Sequence, residues 1–202
     1  MTGSRRVVVA TANPHKVIEI AAILEGLDLE LVAMAEFGVP SPVEDGDTFE
    51  ANALIKARAC AVTTGLASIA DDSGIEVDAL GGAPGIHSAR YAGEPTDDAA
   101  NNRRLVAELQ GVDGDARTAR FVCAAAVCLP DGSQHVVRAE MPGRVVDEPR
   151  GDHGFGYDPH FVSDVGGGRT NAELTPLEKD AVSHRGTAFR ALRPHLERLL
   201  AG

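Results

Sequence analysis

Residues Ala70–Tyr91 read ADDSGIEVDALGGAPGIHSARY, and the chain enters them through the apolar run Leu66-Ala67-Ser68-Ile69-Ala70. That run predicts a short buried strand, with Asp71 and Asp72 where the strand ends and the chain turns. Strand ends in α/β sheets are where ligands usually bind. Gly81, Gly82, Pro84 and Gly85 follow. Glycines let backbone come close to a ligand and adopt positive φ. Two carboxylates beside such a backbone nest point to a divalent cation and phosphate oxygens. The competing reading is a polar turn with one structural aspartate.

Upstream, Val7-Val8-Val9-Ala10 is a continuous apolar run and predicts a central buried strand. The polar loop Thr11-Ala12-Asn13-Pro14-His15-Lys16 leads into a helical spacing of Val17, Ile20, Ala21, Ile23 and Leu24. Pro14 suits a first helical turn, and the N–H groups there can face an anion, with Asn13 and Lys16 beside it. The plainer alternative is a capped helix with a surface lysine. Leu29–Ala35 is a second strand candidate, parallel to the first through the crossover helix. After a loop rich in Pro and acidic residues, a helix is predicted over Phe49–Thr64. Asp47 is the expected cap with Glu50 at N3, Thr48 competes, and Gly65 is the stop. Ala53, Leu54, Ala57 and Ala61 form a narrow apolar face; Lys56 and Arg58 are either solvated or aimed at substrate.

Downstream, Thr96 or Asp97 starts a helix that ends near Gln110, with Asn101 and Asn102 on its polar sides. Ala119–Leu129 is the longest apolar run and predicts a strand buried on both faces, with helix as the alternative. Asp131-Gly132 predicts a hairpin into Gln134–Ala139. Pro142, Gly143, Pro149, Gly151, Gly154 and Gly156 then punctuate the chain. Among them, Phe155 and Tyr157 either stack on a planar ring or anchor a loop to the core. Phe161 and Val162 suggest a brief strand. Thr175-Pro176-Leu177-Glu178 predicts a capped helix start. His184-Arg185 should close that short element, Gly186 should turn, and Thr187–Leu200 should form a last amphipathic helix.

The 202 residues suffice for one domain with two lobes. A formal charge of −11 argues against broad binding to nucleic acid or anionic membrane, though not against a small anionic substrate met by local cations. Cys60, Cys123 and Cys128 form no CxxC pair and fit thiols in a reducing compartment. The start MTGSRRVVVATA is too short in apolar residues for a signal segment, and no run approaches a membrane span, so a cytoplasmic protein is expected.

Taken together, Asn13 and Lys16 suit phosphate, and Asp72 with Glu44 or Asp45 suits Mg²⁺. Lys179 and Arg185 suit further negative charge, and Phe155 and Tyr157 suit a base. A nucleotide-hydrolysing enzyme needs these components. No P-loop, dinucleotide fingerprint or zinc motif is present.

The ordered set Thr11–Lys16, Thr48-Phe49 to Asn52-Ala53, Lys56-Ala57, Asp71-Asp72-Ser73-Gly74, Gly81–Gly85, Ser88–Tyr91, Gly154–Pro159 and Ser183–Gly186 spans nearly the full chain. It resembles the non-canonical purine nucleoside triphosphate pyrophosphatases, the inosine/xanthosine triphosphatase family. The resemblance implies a two-lobed α/β fold around an extended mixed sheet with an active-site cleft, in a homodimer. It implies Mg²⁺-dependent hydrolysis of ITP, dITP and XTP to monophosphate and pyrophosphate. Asp72 matches the catalytic and metal-associated carboxylate, with Glu44 as second metal ligand. Thr11, Ala12, Asn13, Pro14, His15 and Lys16 match the triphosphate loop, and Ser73 matches a substrate contact. Phe155, Gly156, Tyr157, Asp158, Lys179, His184 and Arg185 match nucleotide-binding positions. A donor to the purine 6-keto oxygen is expected from Arg185 or a nearby backbone N–H. Two departures stand out: the acidic loop reads Val43-Glu44-Asp45-Gly46 where the family has adjacent glutamates, and Glu50 is displaced one place along the helix from the family's Phe-x-Glu-Asn.

Overall fold

The computed structural model describes residues 5–201; the reading of the first four residues lies outside them. The chain runs β1 (Arg5–Val9), α1 (Pro14–Ile23), β2 (Leu29–Ala33), α2 (Phe49–Thr64), β3 (Ala67–Val77), α3 (Asp98–Glu108), β4 (Thr118–Cys128), β5 (Gln134–Val145), β6 (Phe161–Ser163), α4 (Pro176–Val182) and α5 (His184–Ala201). Among the described residues six strands form one sheet in the order β2-β1-β3-β4-β5-β6. β1 pairs in parallel with β2 and β3, while β5 and β6 are antiparallel, so the sheet is mixed, as expected.

The fold divides into two compact units. One holds residues up to Asp72, Cys123–Ala139 and Arg185 onward; the other holds Ser73–Val122 and Glu140–His184. In the first, Val7, Val9, Ile69, Cys123, Ala125 and Val127 meet Ile20 of α1 and Phe189, Leu192 and Leu196 of α5. In the second, Ile75, Val77, Phe121, Met141 and Val145 meet Leu105 of α3, Leu109 at its C-cap and Tyr157. Small and β-branched side chains let strands buried on both faces pack closely, which suits a chain with no tryptophan. The three cysteines are buried thiols, in keeping with core filling. No helix among the described residues is long and apolar enough to cross a membrane.

Local chemistry sets the helix ends. Asn13 caps α1, accepting from the N–H groups of His15 and Lys16, and Pro14 takes the first helical position. Thr48 caps α2 by accepting from Ala51 N–H, and Gly65 closes it at φ +67°. This settles the cap of α2 on Thr48: Asp47 lies one residue too early, so Glu50 does not reach N3. Thr175 and Glu178 form the expected capping box on α4.

Three expectations are corrected. β3 does not end at Ala70 but continues through both aspartates to Val77, because Ile75 and Val77 keep an alternation that feeds the second core. β5 does not end at Ala139. It runs through Pro142 and Gly143 to pair with β6, and a Cβ on Gly143 would stand 2.3 Å from the Val162 carbonyl oxygen. Gly186 does not turn the chain. Ser183 is extended and ends α4, so the break falls three residues earlier and α5 starts at His184.

The glycines after the aspartates serve the fold. Val77 N–H donates to the Ala83 carbonyl and Ile75 N–H to Ser88 Oγ, which folds the Gly81–Gly85 turn back onto β3. Gly74 permits this approach: a Cβ there would lie 2.3 Å from Ser88 Oγ and 2.5 Å from the Gly85 carbonyl oxygen. Gly74→Ala is therefore expected to cost about 1–3 kcal/mol in urea unfolding; an unchanged midpoint would show that the turn gives way at no cost.

Candidate active site

Because β3 is extended through Asp71 and Asp72, its pleat sends the two side chains to opposite faces. They are not a paired carboxylate site. Each meets a different set of partners in the first unit.

Asp71 is fully buried. Its Oδ2 accepts from Arg185 Nη2 at 3.0 Å and Nε at 3.2 Å, and lies 3.0 Å from Lys16 Nζ. Arg185 Nη1 also donates to Glu19 of α1. Burial alone would raise the Asp71 carboxyl; Lys16, Arg185 and Lys56 reverse this and hold it far below the usual carboxylate range. The cluster ties the start of α5 to α1 and β3.

Asp72 is 8% exposed. Lys56 Nζ donates to Asp72 Oδ1 and to Glu44 Oε2, each at 2.8 Å. Asn52 sits one turn before Lys56 on α2 and contacts Asp72 Oδ2 at 3.5 Å, while its own oxygen accepts from Gly46 N–H at 2.9 Å. That bond fixes the acidic loop, turning Glu44 towards Lys56 and leaving Asp45 exposed. Burial raises the Asp72 carboxyl, Glu44 adds to the rise, and Lys56 and Lys16 oppose it. Burial would lower the Lys56 ammonium, but Asp72, Asp71 and Glu44 carry it above its ordinary value.

No cluster of three His, Cys, Asp or Glu occurs among the described residues. Two carboxylates are what Mg²⁺ needs, since it keeps water and takes its remaining oxygens from substrate phosphates. Asp72 and Glu44, converging on one cation, have that chemistry.

The other expected residues are placed as follows. Asn13 spends its side-chain oxygen on the α1 cap, and Thr11 Oγ1 accepts from Asn13 N–H at 3.1 Å. The capped-helix alternative therefore describes Asn13, while Lys16 faces Asp71. Ala12, Pro14 and His15 form the turn and the opening of α1. Ser73 follows Asp72 in β3 and is half-buried. Arg185, only 2% exposed, gives Nε and Nη2 to Asp71 and Nη1 to Glu19.

In the second unit, Phe155–Asp158 is a loop built around the Asp158 carboxylate. That group accepts from Phe155 N–H at 2.9 Å, Lys179 Nζ at 2.7 Å and Asn171 Nδ2 at 3.2 Å. Gly154 is needed beside it, since a Cβ would stand 2.2 Å from Asp158 Oδ2. Tyr157 donates its hydroxyl to the Ser88 carbonyl at 2.8 Å. Lys179 lies 4.9 Å from the Phe155 ring centroid, and His184 stacks on Phe121 with centroids 4.8 Å apart. Asp158, Lys179 and His184 are all buried here. Tyr157 is the core anchor of its loop, while Phe155 is half-buried.

A family model described as the Ham1 family matches residues 7–195. The chain belongs to the Ham1 family. It is 53% identical, over 95% of its own length and 96% of the relative's, to a dITP/XTP pyrophosphatase of Geobacter sulfurreducens. It is 50% identical, over 95% of each, to a dITP/XTP pyrophosphatase of Mycolicibacterium paratuberculosis. Among solved structures, a HAM1 protein from Coxiella burnetii superposes with a TM-score of 0.86 at 39% identity, covering 96% of this chain and 99% of that one.

The sequence leaves Lys56 either solvated or aimed at substrate and gives Asn52 no role beyond the motif it stands in. Their signal was an i, i+4 polar pair interrupting the alanine face of α2, a spacing that puts both on one side. Sequence reasoning missed the separate duty of Asp71.

Lys56→Met leaves Asp72 and Glu44 without their shared cation. It should lose about 3–5 kcal/mol at pH 7 in urea unfolding without divalent metal. In that variant the folded state holds Asp72 at a raised pKa and binds more protons than the unfolded chain, so stability rises as pH falls. The gap from wild type should therefore narrow at about pH 5; an equal gap at both pH values would rule out the electrostatic cause.

Proposed function

We propose that the chain hydrolyses non-canonical purine nucleoside triphosphates, ITP, dITP and XTP, to the monophosphate and pyrophosphate. The observation that carries this is the convergence of Asp72 and Glu44 on the Lys56 ammonium, in a chain whose near full-length relatives are named dITP/XTP pyrophosphatases. In this reading Asp72 and Glu44 would hold Mg²⁺, and Asp72 either takes the proton of the water that attacks the α-phosphorus or serves only as a ligand. Bound there, the ion would polarise phosphate oxygens and acidify water. Lys56 keeps the two carboxylates together against their mutual repulsion. Lys16 brings positive charge to the first turn of α1, where backbone N–H groups already favour phosphate. Phe155 supplies a flat apolar surface for the base.

Selection rests on the purine 6-position. A backbone N–H aimed there donates to a keto oxygen and meets the adenine amino group unfavourably, which leaves a polar group unpaired. The same reading gives a homodimer working in the cytoplasm.

Pyrophosphate release from ITP, XTP, dITP, GTP, ATP and dTTP, with Mg²⁺ and with EDTA, tests the proposal. The expected result is Mg²⁺-dependent release from the first three, favoured over ATP by on the order of 10²-fold or more. Equal turnover of all six, or orthophosphate as the product, would overturn it.

A further inference from the structure

We propose that Asp98 and Asn102 of α3 are positioning residues for base recognition, acting through the backbone of Gly156; this rests on the reading of Phe155–Asp158 as the base-binding loop. Asp98 Oδ2 accepts from Gly156 N–H at 2.8 Å. Asn102 Nδ2 donates to the Gly156 carbonyl oxygen at 2.8 Å. The two side chains are four residues apart, so they project from one face of the helix. One helix face therefore grips the donor and the acceptor of a single residue.

That residue is the pivot of the loop. Gly156 lies between Phe155 and Tyr157 at φ +62°, in the left-handed region. Rotation there swings the Phe155 ring relative to Tyr157, whose hydroxyl is tied to the Ser88 carbonyl. Asp158 ties the loop to itself from within through Phe155 N–H. Asp98 and Asn102 tie it to a helix. The helix is a firm base, because Leu105 and Leu109 are fully buried in the second core and Arg104 bonds Glu108 on the next turn at 2.7 Å. A ring that must stack on a purine needs its pose set before the substrate arrives, and a preformed loop avoids ordering costs on binding. Neither Asp98 nor Asn102 need touch the nucleotide to affect selection.

The test measures kcat and KM for Mg²⁺-ITP in Asp98→Ala, Asp98→Asn and Asn102→Asp, with Phe155→Ala as the check on the loop itself. Asp98→Asn keeps an oxygen for Gly156 N–H, whereas Asp98→Ala does not; both remove the charge at the start of α3. Asn102→Asp sets a carboxylate oxygen against the Gly156 carbonyl. We expect Asp98→Ala and Asn102→Asp to raise KM about tenfold with kcat within about threefold of wild type, and Asp98→Asn to recover most of the loss. Reduced kcat at unchanged KM would indicate only a smaller folded fraction and would overturn the proposal. If Phe155→Ala raises KM while the α3 variants do not, the clamp fails and the base-loop reading stands. If Phe155→Ala leaves KM unchanged, the base-loop reading fails and the clamp falls with it. Asp98 is exposed on the first turn of its helix, so its two variants carry the test should Asn102→Asp fail to fold.

Discussion

The pleat of β3 is the constraint on which the first unit depends. It gives two adjacent aspartates opposite surroundings. An isolated buried carboxylate costs several kcal/mol, so each must find cations. Asp71 finds Lys16 and Arg185, and Asp72 finds Lys56. The two sets differ in what they leave available. Asp71 is fully enclosed and its neighbours pull its carboxyl far below the ordinary range. Asp72 keeps some exposure and shares its cation with Glu44, whose side chain is 31% exposed. The first is suited to holding helices on a sheet, the second to receiving a metal and a substrate.

Much of this was legible where the cause is local. The bounds of α2 followed from a cap, an alanine face and Gly65. The start of α4 followed from its capping box, and β4 followed from a long apolar run. Glu44 was favoured over Asp45 from the motif, and the structure turns Glu44 inward through Asn52 and Gly46. What was not legible depends on distant partners. Two aspartates followed by Ser-Gly look like a turn until the alternation of Ile75 and Val77 is matched to a second core. Asn13 reads as a polar loop residue, and only the helix geometry shows that its oxygen accepts from the N–H groups of His15 and Lys16. Lys179 and Arg185 look like cations for a substrate, yet each meets a carboxylate from another part of its own unit.

The second unit applies the same rule to a loop. Asp158 lies inside the glycine-rich segment and fills its carboxylate with a backbone N–H, an ammonium and an amide. A carboxylate satisfied in this way is inexpensive to bury and rigidifies the loop around it. Gly154 is there because Asp158 occupies the space a side chain would need, whereas Gly156 has open space and is set by its positive φ. Rigidity of this kind suits recognition of a flat base, where a misplaced ring loses both stacking and hydrogen bonding.

The division of labour between the adjacent aspartates is tested most directly by measuring Asp71→Asn and Asp72→Asn side by side, for urea unfolding and for ITP turnover at pH 7. Asp71→Asn is expected to lose about 3–5 kcal/mol of stability. Asp72→Asn is expected to unfold near the wild-type midpoint and to lose turnover by on the order of 10²–10⁴-fold. An Asp72→Asn protein that turns over ITP at close to the wild-type rate, or an Asp71→Asn protein as stable as wild type, would contradict that division.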